Sequence, residues 1–284
     1  MLASGRVCTA WVVLVAKGRT IIVAGAGDVG GRLARARAMG GDEVVALRRS
    51  RVEDEPGLRW IGADLLSGSG LQQLPRRPDA VVFCASPDQR SETAYRSLFI
   101  GAQQRLADVL DGPPARWLFV SSTAVHGEDR GAWVDEACVA EPQAFNGRVL
   151  IEAERRLAAS VPGAVVLRPS GIYGPGRDYL LRRARREEPA RPRWTNRVHV
   201  EDVASALSHL LDLGDPQPLY LCNDDMPARE DEVLAWLRER MGLDALATEE
   251  EPESGRRVSN ARLRGSGWAP RWPDYRSGYG ALLP

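Results

Sequence analysis

Thr20-Ile21-Ile22-Val23-Ala24-Gly25-Ala26-Gly27-Asp28-Val29-Gly30-Gly31 is the stretch from which the fold is read. Residues 20–24 are β-branched or apolar, as in a buried strand, and residues 32–39 are compatible with a helix. Between them Gly25, Gly27 and Gly30 occupy the G-x-G-x-x-G positions. Each glycine has its own reason. Gly25 permits a tight turn off the strand. Gly27, lacking a Cβ, lets a pyrophosphate approach the backbone, and Gly30 lets the helix pack close to the strand. Asp28 and Val29 complete the loop, whose free N–H groups and helix dipole favour negative charge. The alternative is a glycine-rich turn with no ligand.

Working outward, 284 residues of formal net charge +0, 44% of them hydrophobic, suit one α/β unit with a substrate-binding extension. The neutral balance argues against nucleic acid as a main partner. Cys8, Cys84, Cys138 and Cys222 are scattered, with no C-x-x-C pair and no metal-ligand spacing. They read as reduced thiols of a cytoplasmic protein, and no metal site is expected. Residues 1–19 contain an apolar run too short to span a membrane. No small-residue cleavage site separates it from the first strand. We read 1–19 as an N-terminal extension, with an edge strand or a partner contact as the alternative, and expect no membrane association.

Short apolar segments at 43–47, 59–61, 80–85, 117–121, 164–168 and 219–222 alternate with helical stretches such as 95–110, 146–159, 201–211 and 228–240. This is the pattern of a doubly wound parallel sheet with helices on both faces. Residues 20–168 form the dinucleotide-binding part. Residues 169–284 form a smaller substrate-side lobe with elements that return to the core. Ligands in such folds lie outside the carboxyl ends of the strands, which nominates Arg48, Arg49, Asp64, Ala85 and Ser86. Arginine at the end of the second strand favours the 2′-phosphate of NADP over the free hydroxyl of NAD, so Arg48 and Arg49 point to NADP, with NAD the alternative. Asp64 is placed to accept from an adenine amino group. Arg182, Arg183, Arg185, Arg186, Arg191, Arg193 and Arg197 suit an anionic, phosphorylated substrate. The other reading is a solvated helix face balanced by Glu187 and Glu188.

The motifs, taken in order, resemble the short-chain dehydrogenase/reductase superfamily in its extended, epimerase/dehydratase-like branch. The matching stretches are Val23 to Gly30, Ser121-Ser122-Thr123-Ala124-Val125-His126-Gly127, Leu167-Arg168-Pro169-Ser170-Gly171-Ile172-Tyr173-Gly174-Pro175-Gly176, and Asn196-Arg197-Val198-His199-Val200-Glu201-Asp202-Val203. The resemblance implies a Rossmann-type fold and a nicotinamide cofactor across the sheet edge. It implies that Ser122 is the Ser/Thr that hydrogen-bonds the substrate oxygen, and that Pro169 to Tyr173 border the nicotinamide. It also implies a homodimer through helices matching 95–110 and 146–159.

One departure is decisive for chemistry. The family uses a Tyr and a Lys four residues apart on one helix face, where the ammonium lowers the phenol's pKa. Here Asn146 and Leu150 stand in those places, as in the atypical YeeZ-type subgroup. His126, which replaces a Tyr, and Tyr173 are the remaining candidates for the proton. Two functions follow: an NAD(P)-dependent oxidoreductase or epimerase acting on a small carbonyl, alcohol or nucleotide-sugar-like substrate, or a non-catalytic NADP(H)-binding sensor or scaffold.

Overall fold

The first strand carries the sheet on both sides of it. A computed structural model describes residues 18–50 and 52–283, so Met1 to Lys17 of the expected extension lie outside the described residues. In chain order the strands are β1 (Thr20–Ala24), β2 (Glu43–Arg48), β3 (Leu58–Gly62), β4 (Ala80–Phe83), β5 (Arg116–Val120), β6 (Arg130–Val134), β7 (Val165–Pro169), β8 (Gly171–Tyr173), β9 (Arg193–Thr195), β10 (Arg197–His199), β11 (Leu219–Cys222), β12 (Ala228–Arg229) and β13 (Ser254–Val258). Seven of them form a parallel sheet in the order β11-β7-β5-β4-β1-β2-β3. The chain runs outward from β1 through β2 to β3. It then returns to β4 on the other side of β1, so the switch point lies between β1 and β4.

Residues 21–24 of β1 are fully buried, as expected of a strand covered on both faces. Successive side chains point to opposite faces. Ile21 and Val23 pack with Leu33 of α1 (Asp28–Met39), whereas Ile22 and Ala24 pack toward the opposite layer. That layer contains α2 (Glu92–Arg96), a π-helical turn Ser97–Ala102, α3 (Gln103–Asp108) and α4 (Phe145–Ser160). In the π turn the Phe99 carbonyl accepts from Gln103 Nε2 at 2.7 Å, so that turn interrupts the helix predicted over 95–110 without breaking it.

The C-terminal part adds α5 (Tyr179–Ala184), α6 (Val200–Asp212), α7 (Glu230–Arg240), α8 (Ala261–Gly265) and α9 (Tyr275–Gly280). Of these, α6 packs beside α1 on the main sheet, with Val203, Leu207 and Leu210 in the same cluster as Ile21 and Val23. Two further strand groups, β10-β8 and β12-β9-β13-β6, lie outside the main sheet, and the second joins β6, from the first part of the chain, to strands of the C-terminal part. The sequence reading takes 171–173 as turn and assigns no strand to 130–134, 193–195 or 254–258. These short strands find partners as distant as Gly255 and Arg130, and two to five residues carry too little periodicity to announce themselves. Among the described residues, no helix is long and apolar enough to cross a membrane.

Candidate dinucleotide site

The three loop glycines meet different surroundings. At Gly25, whose φ is +93°, an added Cβ would lie 2.4 Å from the Ala85 backbone. At Gly30 it would lie 2.6 Å from the Gly25 carbonyl oxygen and 2.7 Å from Cys84 Sγ. At Gly27 it would meet nothing within 4 Å. Two glycines therefore close the contact between α1, β1 and β4, and the third borders open space at the start of α1. Cys84 shares this packing: its thiol donates to the Gly25 carbonyl at 3.4 Å, and burial pushes its pKa up to about 12. It is no nucleophile.

Because all seven strands run the same way, the nominated residues share one edge. Arg48 ends β2 with its guanidinium 6.0 Å from the Trp60 ring centroid. Arg49 is exposed and donates to Asp88 Oδ1 at 2.8 Å. Ala85 packs on Gly25, Ser86 beside it is exposed, and Pro169 closes β7. Asp64 does not wait for a ligand. Its Oδ1 accepts from Leu66 N at 2.9 Å, and that bond, with the Ser67 hydroxyl, holds its carboxyl below the usual range. These bonds brace the loop after β3, and a carboxylate that accepts them keeps further lone pairs for the adenine contact expected from sequence.

Ser122 follows β5 at the same edge, partly exposed. Its Oγ accepts from Ala124 N at 3.1 Å, capping the 3-10 turn Thr123–Val125 and leaving the hydroxyl proton free to donate outward. Asn146 lies in the first turn of α4, its Oδ1 buried without a partner among the described residues, and Leu150 one turn later is 3% exposed.

His126 and Tyr173 are not free to relay protons. His126 is 3% exposed, and its Nε2 lies 3.2 Å from Arg168 Nη1. Arginine only donates, so Nε2 accepts and the ring proton belongs on Nδ1. Burial, with the Arg168 charge beside it, pushes the imidazole down to about 4. Arg168 is itself paired with Glu154, its Nε donating to Oε1 at 3.0 Å, and Ser121 donates to the same carboxylate. Tyr173 is 3% exposed and stacks on Tyr279 with ring centroids 4.3 Å apart. Its hydroxyl has no partner among the described residues, and burial raises its pKa well above the usual range. In this structure both groups are buried and packed, and their shifts run against proton exchange near neutral pH.

The lobe arginines are spent locally. Arg182 pairs with Asp178 at 3.1 Å and Arg191 with Glu249 at 3.2 Å. Arg183 is buried, donating to the carbonyls of Glu188 and Pro189, and Arg197 donates to that of Ala228. Among the described residues these four are engaged by local partners, while Arg186 stays well exposed.

The model of the NAD dependent epimerase/dehydratase family matches residues 21–221. The chain belongs to that family. It is 36% identical over 191 residues to Protein YeeZ of Escherichia coli strain K12, a match spanning 66% of this chain and 68% of YeeZ. A solved structure from Methylobacillus flagellatus, provisionally named an NAD-dependent epimerase/dehydratase, is 36% identical and superposes with TM-score 0.82, covering 93% of this chain and 97% of that one. MoeE5, solved in complex with UDP-glucose and NAD, is 22% identical with TM-score 0.77, covering 94% and 97%. At that identity the likeness is one of fold.

Within this epimerase/dehydratase fold, sequence reasoning passed over several residues. Glu154 stands two turns beyond Asn146, and its pairing with Arg168 had no sequence signal because the partners are fourteen residues apart on different elements. Asp88 and Arg177 were also missed. Arg177 directly follows the Gly174-Pro175-Gly176 turn, a position from which a long side chain can cross to another loop.

Proposed function

We propose that this protein is an NADP(H)-binding oxidoreductase of the epimerase/dehydratase type, with NAD(H) the alternative. Its substrate is a small carbonyl or alcohol, nucleotide-sugar-like compounds included. The observation that carries this reading is the division of labour at the loop: Gly25 and Gly30 are packed solid, while Gly27 faces open space at the N-terminus of a twelve-residue helix. That space fits a diphosphate held by backbone N–H groups. The bound nicotinamide would supply the hydride. Ala85, Ser86 and Pro169 would border it, and Arg48 and Arg49 would face a 2′-phosphate. Ser122 would donate its free hydroxyl proton to the substrate oxygen, with solvent water completing the proton transfer, since no Tyr-Lys pair is present.

A second reading, a sensor or scaffold that binds NADP(H) without turnover, is favoured by one observation: apolar, buried Leu150 stands where the family's Lys would be. A single experiment separates the two. NADPH absorbance is followed while aldehydes, ketones and nucleotide sugars are offered in turn. A reductase consumes NADPH, and Ser122→Ala slows turnover by about a hundredfold, the scale of losing one oxyanion donor, with little change in NADPH affinity. Tight binding with no turnover across the panel decides for the sensor.

A further inference from the structure

Asp28 lies in the first turn of α1, next to Gly27, yet its carboxylate is not alone there. Arg32, one turn along the same helix, donates Nε to Oδ1 at 3.0 Å. Arg177 crosses from the turn between β8 and α5, in the other lobe, and donates Nε to Oδ2 at 2.7 Å. Burial pulls the Asp28 pKa up, but the two guanidinium bonds outweigh it and hold the carboxyl below the usual range. All three side chains are about one-third exposed, so they lie at the surface rather than in the core.

The geometry leaves Arg177 partly unused. Only its Nε has a partner among the described residues, so both terminal nitrogens remain open. Arg32 holds the opposite oxygen of Asp28, and its own Nη1 lies 3.9 Å from Glu201 Oε1 on α6. Asp28 is thereby pinned on one side and presents Arg177 on the other. The three groups carry a single net positive charge beside the open face of Gly27. A guanidinium fixed by one edge with the other free is preorganised for bidentate contact with phosphate oxygens.

We propose that Arg177 is a positioning residue for the dinucleotide's diphosphate, delivered from the second lobe and held in place by Asp28. This rests on the dinucleotide reading above and adds to it that the substrate-side lobe contributes to the cofactor site. Cofactor arrival then ties the β8–α5 turn to the glycine loop.

The test titrates the full chain with NADPH, NADH and ADP-ribose at low and high salt. Arg177→Ala should weaken all three alike, by about tenfold, the scale of one charge-assisted contact. ADP-ribose is included because it keeps the diphosphate and lacks the nicotinamide. Arg177→Lys should recover part of the loss. Asp28→Asn should weaken binding less, and should add nothing on top of Arg177→Ala. Arg177→Ala should also flatten the salt dependence, which a merely structural role would leave alone. Unchanged affinity in Arg177→Ala, a loss confined to NADPH, or additive losses in the double variant would overturn the proposal while the dinucleotide reading stands. A parent protein that binds none of the three ligands overturns both.

Discussion

Gly27→Ala and Gly30→Ala add the same methyl group three residues apart and should fail in opposite ways. At Gly30 the methyl would sit 2.6 Å from the Gly25 carbonyl oxygen and 2.7 Å from Cys84 Sγ. Neither neighbour is the end of a flexible side chain, so α1 must move off the sheet. Overpacking of this kind costs about 1–3 kcal/mol. For a chain of this size that is a fall of roughly 3–10 °C in Tm. At Gly27 the methyl meets no atom within 4 Å, so no neighbouring group has to move to admit it. Ligand binding should suffer instead. A diphosphate displaced from the loop loses two or so charge-assisted contacts of about 1.5–3 kcal/mol each. That amounts to a weakening of roughly a hundredfold or more. Thermal denaturation without ligand and calorimetric titration with NADPH read the two effects separately. The reasoning fails if Gly27→Ala binds NADPH as tightly as the parent, or if Gly30→Ala leaves the Tm unchanged.

Replacing both Arg48 and Arg49 with Ala should weaken NADPH by about tenfold more than NADH, because only the former carries the 2′-phosphate that arginine binds; equal weakening, measured by the same titration, removes the phosphate argument. The depressed His126 pKa makes stability depend on pH in a defined direction. Between about 4 and 6.5 the unfolded chain takes up a proton that the folded imidazole refuses, so stability is full above that window and falls as pH drops through it. Tm measured across that range should fall more steeply for the parent than for His126→Gln, and parallel curves would contradict the assignment.

The central sheet was legible because its strands are unusually plain. Residues 20–24, 80–83 and 165–169 are nearly all apolar and closely spaced with helical segments, and each was placed to within a residue or two. The same clarity extends to the glycine loop, where spacing alone distinguishes the packed positions from the open one. The lobe was not legible, since its strands are short and alternate weakly, and one pairing, β13 with β6, spans more than a hundred residues. Side-chain direction was the harder limit. His126 and Tyr173 sit in the motifs where chemistry was expected, but nothing in a linear sequence says that Arg168 will abut the imidazole, or that Gly278 leaves room for the Tyr173 hydroxyl, to which an added Cβ would come within 1.7 Å. Asp64 shows the same limit: a short acidic side chain at a loop start also serves its own backbone, here Leu66 N, which the sequence reading did not anticipate.

The outermost strand of the main sheet has a consequence for how the molecule is made. β11 pairs with β7 from Leu219 to Cys222, and α6 covers a face that β1 helps to build. During synthesis β7 leaves the ribosome some fifty residues before its neighbour does. Until then its outer edge and the uncovered apolar surface are open to wrong partners. A fragment ending near residue 169 would be permanently caught at that stage, so the nascent chain completes its seven-stranded sheet only once residues 219–222 have emerged.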